Sequence, residues 1–470
     1  MKVTNLDLPV MSSWIEDNAL RLDSAPYLSG AMEARILLDR LRVEKVPLHQ
    51  LTKGHNGGIY NGPQFVRNYV DDPAHGVPFL TSSSMLLADL STAGLLRKKD
   101  AESPKLNYLR LREGMTLISC SGTIGRMVYA RPAMEGMWSS QDILKVVPDP
   151  NKILPGYLFA YLSSRFGVPL VVFGTYGAII QHIEPHHIAA LPVPRLGESI
   201  ERKINDLIVS AAHKRSNAAL KRKHSIKVLY KHFELNSHFD ENKPHGFSSF
   251  SVSSTRLSRL DAFTFSPNSL DAYEELIKCS DRKSHLYEVA NVFTPGIFKR
   301  QYVDDPNFGY PYFSGSELFQ VSPNVRGYLN KKSQGIENYI VKKDWLLIQD
   351  AGQVGGLIGR LIRIQPFAHN SAVSNHLMRI VPKNHEDSGY LFTVLSSPHG
   401  YRSVVRHAFG TSIPQLDPSH VRDIIIPWPE SKIRQEISES TFESWKLFDQ
   451  AEEEEKLAIA MVDQAIEGGN

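Results

Sequence analysis

The stretch YVDDPAHGVPFLTSS (Tyr69–Ser83) returns later in the chain as YVDDPNFGYPYFSGS (Tyr302–Ser316). Five other pairs of segments keep the same order, with separations between 230 and 238 residues. They are Arg21-Leu22-Asp23 with Arg259-Leu260-Asp261, SGTIGR (Ser121–Arg126) with AGQVGG (Ala351–Gly356), GYLFAYLSS (Gly156–Ser164) with GYLFTVLSS (Gly389–Ser397), Phe173-Gly174-Thr175 with Phe409-Gly410-Thr411, and IEPHHIAALPVP (Ile183–Pro194) with LDPSHVRDIIIPWP (Leu416–Pro429). This period greatly exceeds that of stacking repeats, so each copy is expected to be a domain of its own. The chain is therefore a tandem duplication.

Each copy has the sequence pattern of an α+β domain. An opening helix is expected at the Arg-Leu-Asp segment and the apolar stretch after it, such as AMEARILLDRL. Strands are expected where Val, Ile and aromatic residues stand between Gly, Pro and Asp. These are GMTLISC, GRMVYA and ILKVVP in the first copy and DWLLIQD, GLIGRLIRI and HLMRIVP in the second. The GYLF segments predict a short helix that starts just after the glycine, and a proline-bounded strand, LPVP or IIIPWP, closes each copy.

Two segments without Pro or Gly follow the two copies, at residues 198–234 and 430–467. Apolar residues recur in both at helical spacing: Ile200, Ile204, Leu207, Ile208 and Ala211 in the first, and Ile433, Ile437, Trp445, Phe448, Leu457 and Val462 in the second. The first segment has nine Lys/Arg and four Asp/Glu (net +5), and the second has four and eleven (net −7). Opposite charges favour pairing of the two helices. The alternative is that each charge run is only a solvated face, which is the commoner case for a single helix.

Composition sets wide limits on the class of protein. A length of 470 residues suggests two to four domains, and 42% hydrophobic with 22% charged residues is ordinary for a globular protein. Cys120 and Cys279 are the two cysteines, and they are far apart in the sequence with no CxxC spacing. This argues against a disulfide framework or a zinc site and fits a reducing cytoplasm. No signal peptide or membrane span is expected. The net charge of +3 permits DNA binding without requiring it.

The repeated order of these segments resembles the specificity subunit of type I restriction–modification systems. The resemblance covers essentially the whole chain, and it is the ordered set occurring twice that makes it specific. It implies an α+β fold with two tandem homologous target-recognition domains, separated by two long helices that pair as an antiparallel coiled-coil spacer. The expected boundaries are 1–196 for the first recognition domain, 197–238 for the first helix, 239–429 for the second recognition domain and 430–470 for the second helix.

The same resemblance implies a function. Each recognition domain would read one half of a bipartite site on double-stranded DNA, and the chain itself would not be an enzyme. Its implied partners are modification (M) subunits, two of them, that bind S-adenosylmethionine and methylate adenine, and restriction (R) subunits that translocate and cleave DNA. S-adenosylmethionine, ATP and Mg are expected in those partners, and none in this chain. The expected location is the cytoplasm. Because the two copies differ in their loops, the site should not be palindromic.

Candidate DNA contacts are polar and basic residues in the predicted loops. Arg and Lys suit guanine, Asn and Gln suit adenine, and basic groups suit phosphates. In the first copy the candidates are Lys53, His55, Asn56, Gln64, Arg67, Lys98, Lys99, Lys105, Arg126, Thr175 and Tyr176. In the second copy they are Lys299, Arg300, Lys331, Lys332, Gln353, Arg406 and His407. For a single surface lysine, solvation without any DNA contact is the commoner outcome.

Three other patterns suggest chemistry that the sequence does not support. Asp71-Asp72 and Asp304-Asp305 stand in DDPxxG turns, where Asp usually caps its own backbone. His182, His186 and His187 resemble a metal cluster, but the second copy has Gln415, Ser419 and His420 at those positions, so a structural role is the better interpretation. The glycines between Gly352 and Gly359 match neither the dinucleotide-binding fingerprint nor the P-loop, and are expected to shape a turn near DNA.

Two alternatives remain open at the level of sequence. The chain could be a metal-dependent nuclease or a methyltransferase with an unrecognised motif, although neither an Asn-Pro-Pro-aromatic motif nor a helicase P-loop is present. It could also be the recognition subunit of another phage-defence system. A cleavage assay with divalent metal tests the first alternative, and the neighbouring genes test the second.

Overall fold

The computed structural model describes residues 10–17, 20, 22, 27, 29–175, 181–236 and 264–468. Apart from Leu22, the recurring Arg-Leu-Asp segments lie outside these residues, as does Tyr176. The chain divides into two compact units. The first unit is Met1–Ser216 with Gln450–Asn470, and the second unit is Asn217–Asp449. Each unit contains one copy of the repeat and part of each long helical segment.

The GYLF helices, the long helices and a helix over the predicted stretch AMEARILLDRL are found, whereas the helix expected at the Arg-Leu-Asp segments themselves falls outside the described residues. In the copy that begins the chain the helices are α1 (Ser12–Asp17), α2 (Ala31–Arg40), α3 (Lys98–Ala101), α4 (Pro155–Leu162), α5 (Gly167–Phe173), α6 (Pro185–Ala189) and α7 (Glu198–Phe233). In the other copy they are α8 (Pro267–Lys278), α9 (Leu286–Val289), α10 (Gly315–Leu318), α11 (Ser388–Ser396), α12 (Pro398–Val405), α13 (Pro418–Arg422) and α14 (Ser431–Gly468).

Ten strands form in each copy among the described residues. In the first unit they are β1 (Lys45–Pro47), β2 (Ile59–Tyr60), β3 (Tyr69–Val70), β4 (Gly76–Leu80), β5 (Gly94–Arg97), β6 (Thr116–Ser119), β7 (Met127–Tyr129), β8 (Trp138–Ser139), β9 (Ile143–Val146) and β10 (Pro192–Pro194). In the second unit they are β11 (Lys283–His285), β12 (Ala290–Phe293), β13 (Tyr302–Val303), β14 (Gly309–Phe313), β15 (Gly327–Asn330), β16 (Leu346–Gln349), β17 (Leu361–Arg363), β18 (Ala372–Val373), β19 (Leu377–Pro382) and β20 (Ile425–Pro427).

The two units have the same strand order, which confirms the duplication at the level of topology. The first unit has the sheets β2-β9-β6-β7 and β3-β5-β4-β8 and the ribbon β1-β10. The second unit has β12-β19-β16-β17, β13-β15-β14-β18 and β11-β20. In both, every pairing is antiparallel except the one between β4 and β8 and its counterpart between β14 and β18. The fold class is therefore α+β, as predicted.

The helices of the GYLF segments lie in the centre of each unit. Tyr157 and Tyr390 are fully buried, and each hydroxyl donates to the carbonyl of the last proline of the closing strand, Pro194 or Pro427. A buried tyrosine needs such an acceptor for its O–H group. The tyrosine and the proline-bounded strand therefore recur together because they form one hydrogen-bonded arrangement.

The prediction that this helix starts after its glycine is wrong by two residues in each copy. Helix α4 begins at Pro155 and α11 at Ser388, so the glycine lies inside the first turn. A Cβ on Gly156 would lie 2.7 Å from the carbonyl oxygen of Asn205 on α7, and a Cβ on Gly389 would lie 2.9 Å from the Cβ of Ser438 on α14. The glycine recurs because a long helix packs directly against this turn.

The long helices contact each other within each unit, and the predicted charge pairing is found. In the first unit Lys214 pairs with Glu454, and the buried guanidinium of Arg215 donates to Glu452 at 3.0 Å and to Glu455. Although burial disfavours the charge, the carboxylates of Glu455 and Glu452 raise the pKa of Arg215.

In the second unit the side chain of Lys221 pairs with Glu443, and the hydroxyl of Ser444 donates to the carbonyl of Ala218 at 2.7 Å. Among these contacting pairs, a higher residue number on α7 goes with a lower residue number on α14. The two helices therefore run antiparallel. The domain boundaries proposed from the sequence, 1–196, 197–238, 239–429 and 430–470, remain predictions.

Among the described residues no single helix is long and apolar enough to cross a membrane. Pro155–Leu162 and Gly167–Phe173 reach the required length and composition only as a pair bent by 71°.

Candidate nucleic-acid interface

The glycine-rich loop before β2 is a turn with several internal contacts. The ammonium group of Lys53 pairs with Asp149 at 3.1 Å. The ring of His55 stacks on Tyr108, with the ring centroids 3.9 Å apart. Asn56 is exposed at the tip and has a positive φ of 47°. All three predicted contacts in this loop are exposed, and the side chains of Lys53 and His55 also contact Asp149 and Tyr108.

The segment between β2 and β3 carries Gln64, which is exposed, and Arg67, which is half-buried. The Nη2 group of Arg67 donates to the side-chain oxygen of Gln141 at 3.1 Å and to the carboxylate of Asp142 at 3.0 Å. The guanidinium is therefore held in one orientation by the loop that precedes β9. Arginine is a donor that suits guanine, and these two contacts fix the orientation of the Arg67 guanidinium.

Paired lysines follow the same strand in both units. Lys98 and Lys99 follow β5, and Lys331 and Lys332 follow β15; all four are exposed. The backbone N–H of Lys98 donates to the carbonyl of His75 at 2.8 Å, and that of Lys331 donates to Phe308 at 3.0 Å, so the positions are equivalent. Lys105 is also exposed.

The glycine turn that follows β6 in the first unit has its counterpart after β16 in the second unit. Its geometry changes the alignment of SGTIGR with AGQVGG that was inferred from the sequence. Gly125 donates to the carbonyl of Ser119 at 3.0 Å, and its counterpart is Gly359, which donates to Gln349 at 2.8 Å. Both glycines have a positive φ (78° and 76°), and a Cβ on either would lie within 2.5 Å of a valine side chain. Gly355, which the sequence comparison placed opposite Gly125, is an additional residue.

The second unit therefore has a longer turn. SGTIGR spans residues 121–126, and its counterpart AGQVGGLIGR spans residues 351–360. Arg126 corresponds to Arg360, since Ser119 donates to the carbonyl of Arg126 and Gln349 donates to that of Arg360. Gln353 lies in the additional segment; it is exposed, and its side-chain amide donates to the carbonyl of Ser412 at 2.8 Å.

Three further candidates, Thr175, Arg406 and His407, lie just after the ends of helices α5 and α12. The hydroxyl of Thr175 donates to the carbonyl of Val172 at the end of α5. The guanidinium of Arg406 packs over the ring of Tyr273, 4.4 Å from its centroid, and the ring of His407 stacks with that of His420. These contacts give all three residues a structural role.

Lys299 and Arg300 are exposed in the second unit. The guanidinium of Arg300 lies 5.4 Å from the ring centroid of Tyr312.

Sequence reasoning missed one pair of residues beside these loops. Lys145 on β9 and Arg379 on β19 are fully buried cations at equivalent positions. The available signal was a basic residue inside each apolar strand segment, ILKVVP and HLMRIVP. Charged residues are almost never fully buried unless they are paired.

The structural roles expected for the aspartates and histidines agree with the geometry. Asp72 accepts the backbone N–H of Ala74 at 2.8 Å, and Asp305 accepts that of Asn307 at 2.9 Å. The ring of His187 accepts the backbone N–H of Glu184 at 3.0 Å and so caps α6. Across the described residues, no group of three or more His, Cys, Asp or Glu side chains could hold a metal ion.

Residues 282–453 match the family model of the type I restriction modification DNA specificity domain. This match begins just before β11, covers the described sheets of the second unit and ends within α14. The resemblance predicted from the sequence is thus confirmed: the chain is similar to type I specificity subunits, and the similarity to their DNA specificity domain lies in residues 282–453. The sheets of the first unit, which lie outside the matched residues, have the same strand order.

Solved structures of this class are also similar to the chain. The S subunit of a type I restriction-modification system from M. genitalium is 12% identical over 92% of this chain and 96% of that chain, with a TM-score of 0.39. The HsdS subunit from Thermoanaerobacter tengcongensis is 13% identical over 91% and 97%, with a TM-score of 0.27. A structure describing complex assembly and conformational transition of the type I R-M system is 14% identical over 91% and 98%, with a TM-score of 0.28. These likenesses are distant, and the resemblance rests on the domain match. No curated protein sequence matches the chain.

Proposed function

We propose that this chain is the DNA-specificity subunit of a type I restriction–modification complex. Each unit reads one half of a bipartite, asymmetric site on double-stranded DNA. The observation that carries the proposal is the specificity-domain match over residues 282–453, together with the same strand order in the other unit. A repeated scaffold gives two equivalent ways of docking on a duplex.

The asymmetry of the site follows from what differs between the units. The glycine turn spans residues 121–126 in one and 351–360 in the other, and the side chains at its tip are unrelated. Bases are read by side chains with particular donor and acceptor patterns, so different loops on one scaffold select different bases. The exposed lysines Lys99 and Lys332, which recur in both units, are suited to the phosphates, which are the same everywhere on DNA.

The chain directs chemistry that its partners perform. M subunits, two per complex, would use S-adenosylmethionine to methylate adenine within the site, and R subunits would use ATP and Mg to translocate and cleave DNA. The chain would act in the cytoplasm, and α7 with α14 would set the spacing between the half-sites. The predicted contact residues, including Tyr176, belong to this proposal.

Selection of bound duplexes from a randomised library tests the proposal. The full chain should enrich two short, different motifs separated by a spacer of fixed length. A variant with residues 1–196 replaced by the equivalent domain of a relative should enrich a site with one half changed. Enrichment of no motif, or a change in both halves after the exchange, would contradict the proposal.

A further inference from the structure

The buried cations Lys145 and Arg379 share two contacts in the two units, and Arg379 also donates to the carbonyls of Tyr339 and Val373, each at 3.4 Å. Each side chain is fully buried in the middle strand pair of its sheet, where Lys145 lies opposite Leu117 on β6 and Arg379 lies opposite Leu347 on β16. The ammonium group of Lys145 donates to the carbonyls of Ser140 at 3.2 Å and Ile143 at 2.9 Å.

Arg379 contacts the corresponding two carbonyls. Its Nη1 group donates to Ser374 at 3.0 Å and to Leu377 at 2.6 Å. In both units the cation therefore bridges the start and the end of the loop that leads into the strand, Ser140–Ile143 or Ser374–Leu377.

This arrangement is costly for stability alone. A buried charge loses its hydration, and carbonyl dipoles restore only part of it. Burial lowers the pKa of Lys145 to about 7 and that of Arg379 to about 10. Within the described part of the chain neither cation forms an ion pair within 4.0 Å. An apolar side chain would pack here without that penalty, so the recurring cation points to a need for a fixed loop backbone.

The two loops share a backbone arrangement but present different side chains. The N–H of Cys120 donates to the carbonyl of Asp142 at 3.0 Å, and the N–H of Asp350 donates to that of His376 at 3.1 Å, so both loops are tied to the strand that leads into the glycine turn. In the first unit the loop carries Gln141 and Asp142, which hold Arg67.

In the second unit the loop carries Asn375 and His376. The imidazole of His376 is about half exposed, and its Nδ1 lies 3.2 Å from the carboxylate of Asp350. The two loops therefore share the same backbone hydrogen bonds but carry different side chains.

We propose that the loops Ser140–Ile143 and Ser374–Leu377 are specificity-determining elements, and that Lys145 and Arg379 are the residues that position them. In the first half-site Arg67, oriented by Gln141 and Asp142, reads a guanine. In the second half-site His376, which stands at the position of Asp142, contacts a base directly. This inference rests on the proposed function, because it names residues that read bases within the same interface.

Exchanging the loop contents tests the inference in the full chain. The variant Gln141→Asn with Asp142→His gives the first loop the side chains of the second, and is selected against a randomised duplex library beside wild type. The expected result is an altered preference at one or two base pairs of the first half-site, with at least a tenfold loss for the original guanine. The second half-site should be enriched as in wild type, which shows that the variant folds.

The cation is tested with Lys145→Met and its matched conservative variant Lys145→Arg, which installs the residue used in the second unit. Lys145→Met should broaden the range of bases accepted in the first half-site only. Lys145→Arg should select the same bases as the wild-type chain. If Lys145→Met does not fold, the loop exchange and Lys145→Arg still decide the matter.

The outcomes separate this inference from the proposed function. A wild-type chain that enriches a bipartite site, beside a loop-exchanged variant that enriches the same site equally, would overturn the inference alone. A wild-type chain that enriches no site would overturn the proposed function. Loss of enrichment at both half-sites in Lys145→Met, with none regained in Lys145→Arg, would show that the cation serves folding and not reading.

Discussion

The guanidinium of Arg215 donates to the carboxylate of Glu452 across 3.0 Å, and about 6% of each side chain is exposed. Glu455 accepts from the same guanidinium. This buried cluster joins α7 to α14 within the first unit. The oppositely charged helices are thus linked by a buried ion-pair cluster in the first unit. In the second unit the pair of Lys221 and Glu443 is half-exposed.

Arg215→Met should lower the free energy of unfolding by about 3 kcal/mol, because the buried Glu455 and Glu452 lose the guanidinium while Glu452 keeps Lys456. Lys221→Met, the matched control, should cost roughly 0 to 1 kcal/mol, since its pair is solvent-screened. Urea denaturation of the two variants beside wild type measures both values. Equal and small losses would show that the buried cluster adds nothing to the helix pairing.

Removing Gln353–Gly356 should shorten the glycine turn of the second unit to the length of the first, giving AGLIGR in place of AGQVGGLIGR. The hydrogen bond from Gly359 to Gln349 lies outside the deleted segment, so the fold should persist with a similar melting temperature. Library selection should then give a changed second half-site and an unchanged first half-site. An unchanged second half-site would mean that the additional residues do not contact DNA.

Lys145 should give stability a pH dependence with a defined sign. Burial lowers its pKa from 10.5 to about 7, so between these values the folded chain holds fewer protons at this site than the unfolded chain does. Stability contributed by this site therefore rises with pH across that window and falls towards pH 7. The difference in unfolding free energy between wild type and Lys145→Met should shift in favour of wild type by up to about 1 to 3 kcal/mol between pH 7 and pH 9. A difference that stays constant over this range would contradict the prediction.

The recurring lysines should contribute affinity without sequence preference. Lys99→Gln combined with Lys332→Gln should weaken binding to all duplexes and reduce the slope of log affinity against log salt by about 0.9 for each lost phosphate contact. The enriched motif should stay the same. Lys446→Gln, an exposed lysine on α14, is the control and should change neither quantity. A changed motif in the double variant would mean that these lysines contact bases as well as phosphates.

Much of the fold could be predicted because the strong signals are repeated. The longer strands, the GYLF helices and the long helices carry clear periodicity, and their recurrence fixed the duplication. The second sheet of each unit was not predicted, since strands such as Tyr69–Val70 and Trp138–Ser139 have two residues each and show no alternation. Their place is set by pairing with strands distant in sequence.

The site was predicted in outline and not in its supporting contacts. Ile124-Gly125-Arg126 and Ile358-Gly359-Arg360 do match in sequence, but the pairing without a gap hid the four additional residues. Lys145 was passed over because a single basic residue in a strand usually lies on the solvent face. Burial and the partners of Arg67 depend on tertiary contacts, which no local pattern records.

The central claim, that this chain reads DNA sequence for a modification complex, is tested most directly by mapping adenine methylation. Single-molecule sequencing would compare genomes of cells with the gene, without it, and with it restored. One bipartite, asymmetric methylated motif should disappear on deletion and return on restoration. A methylation pattern that is identical in all three genomes would contradict it.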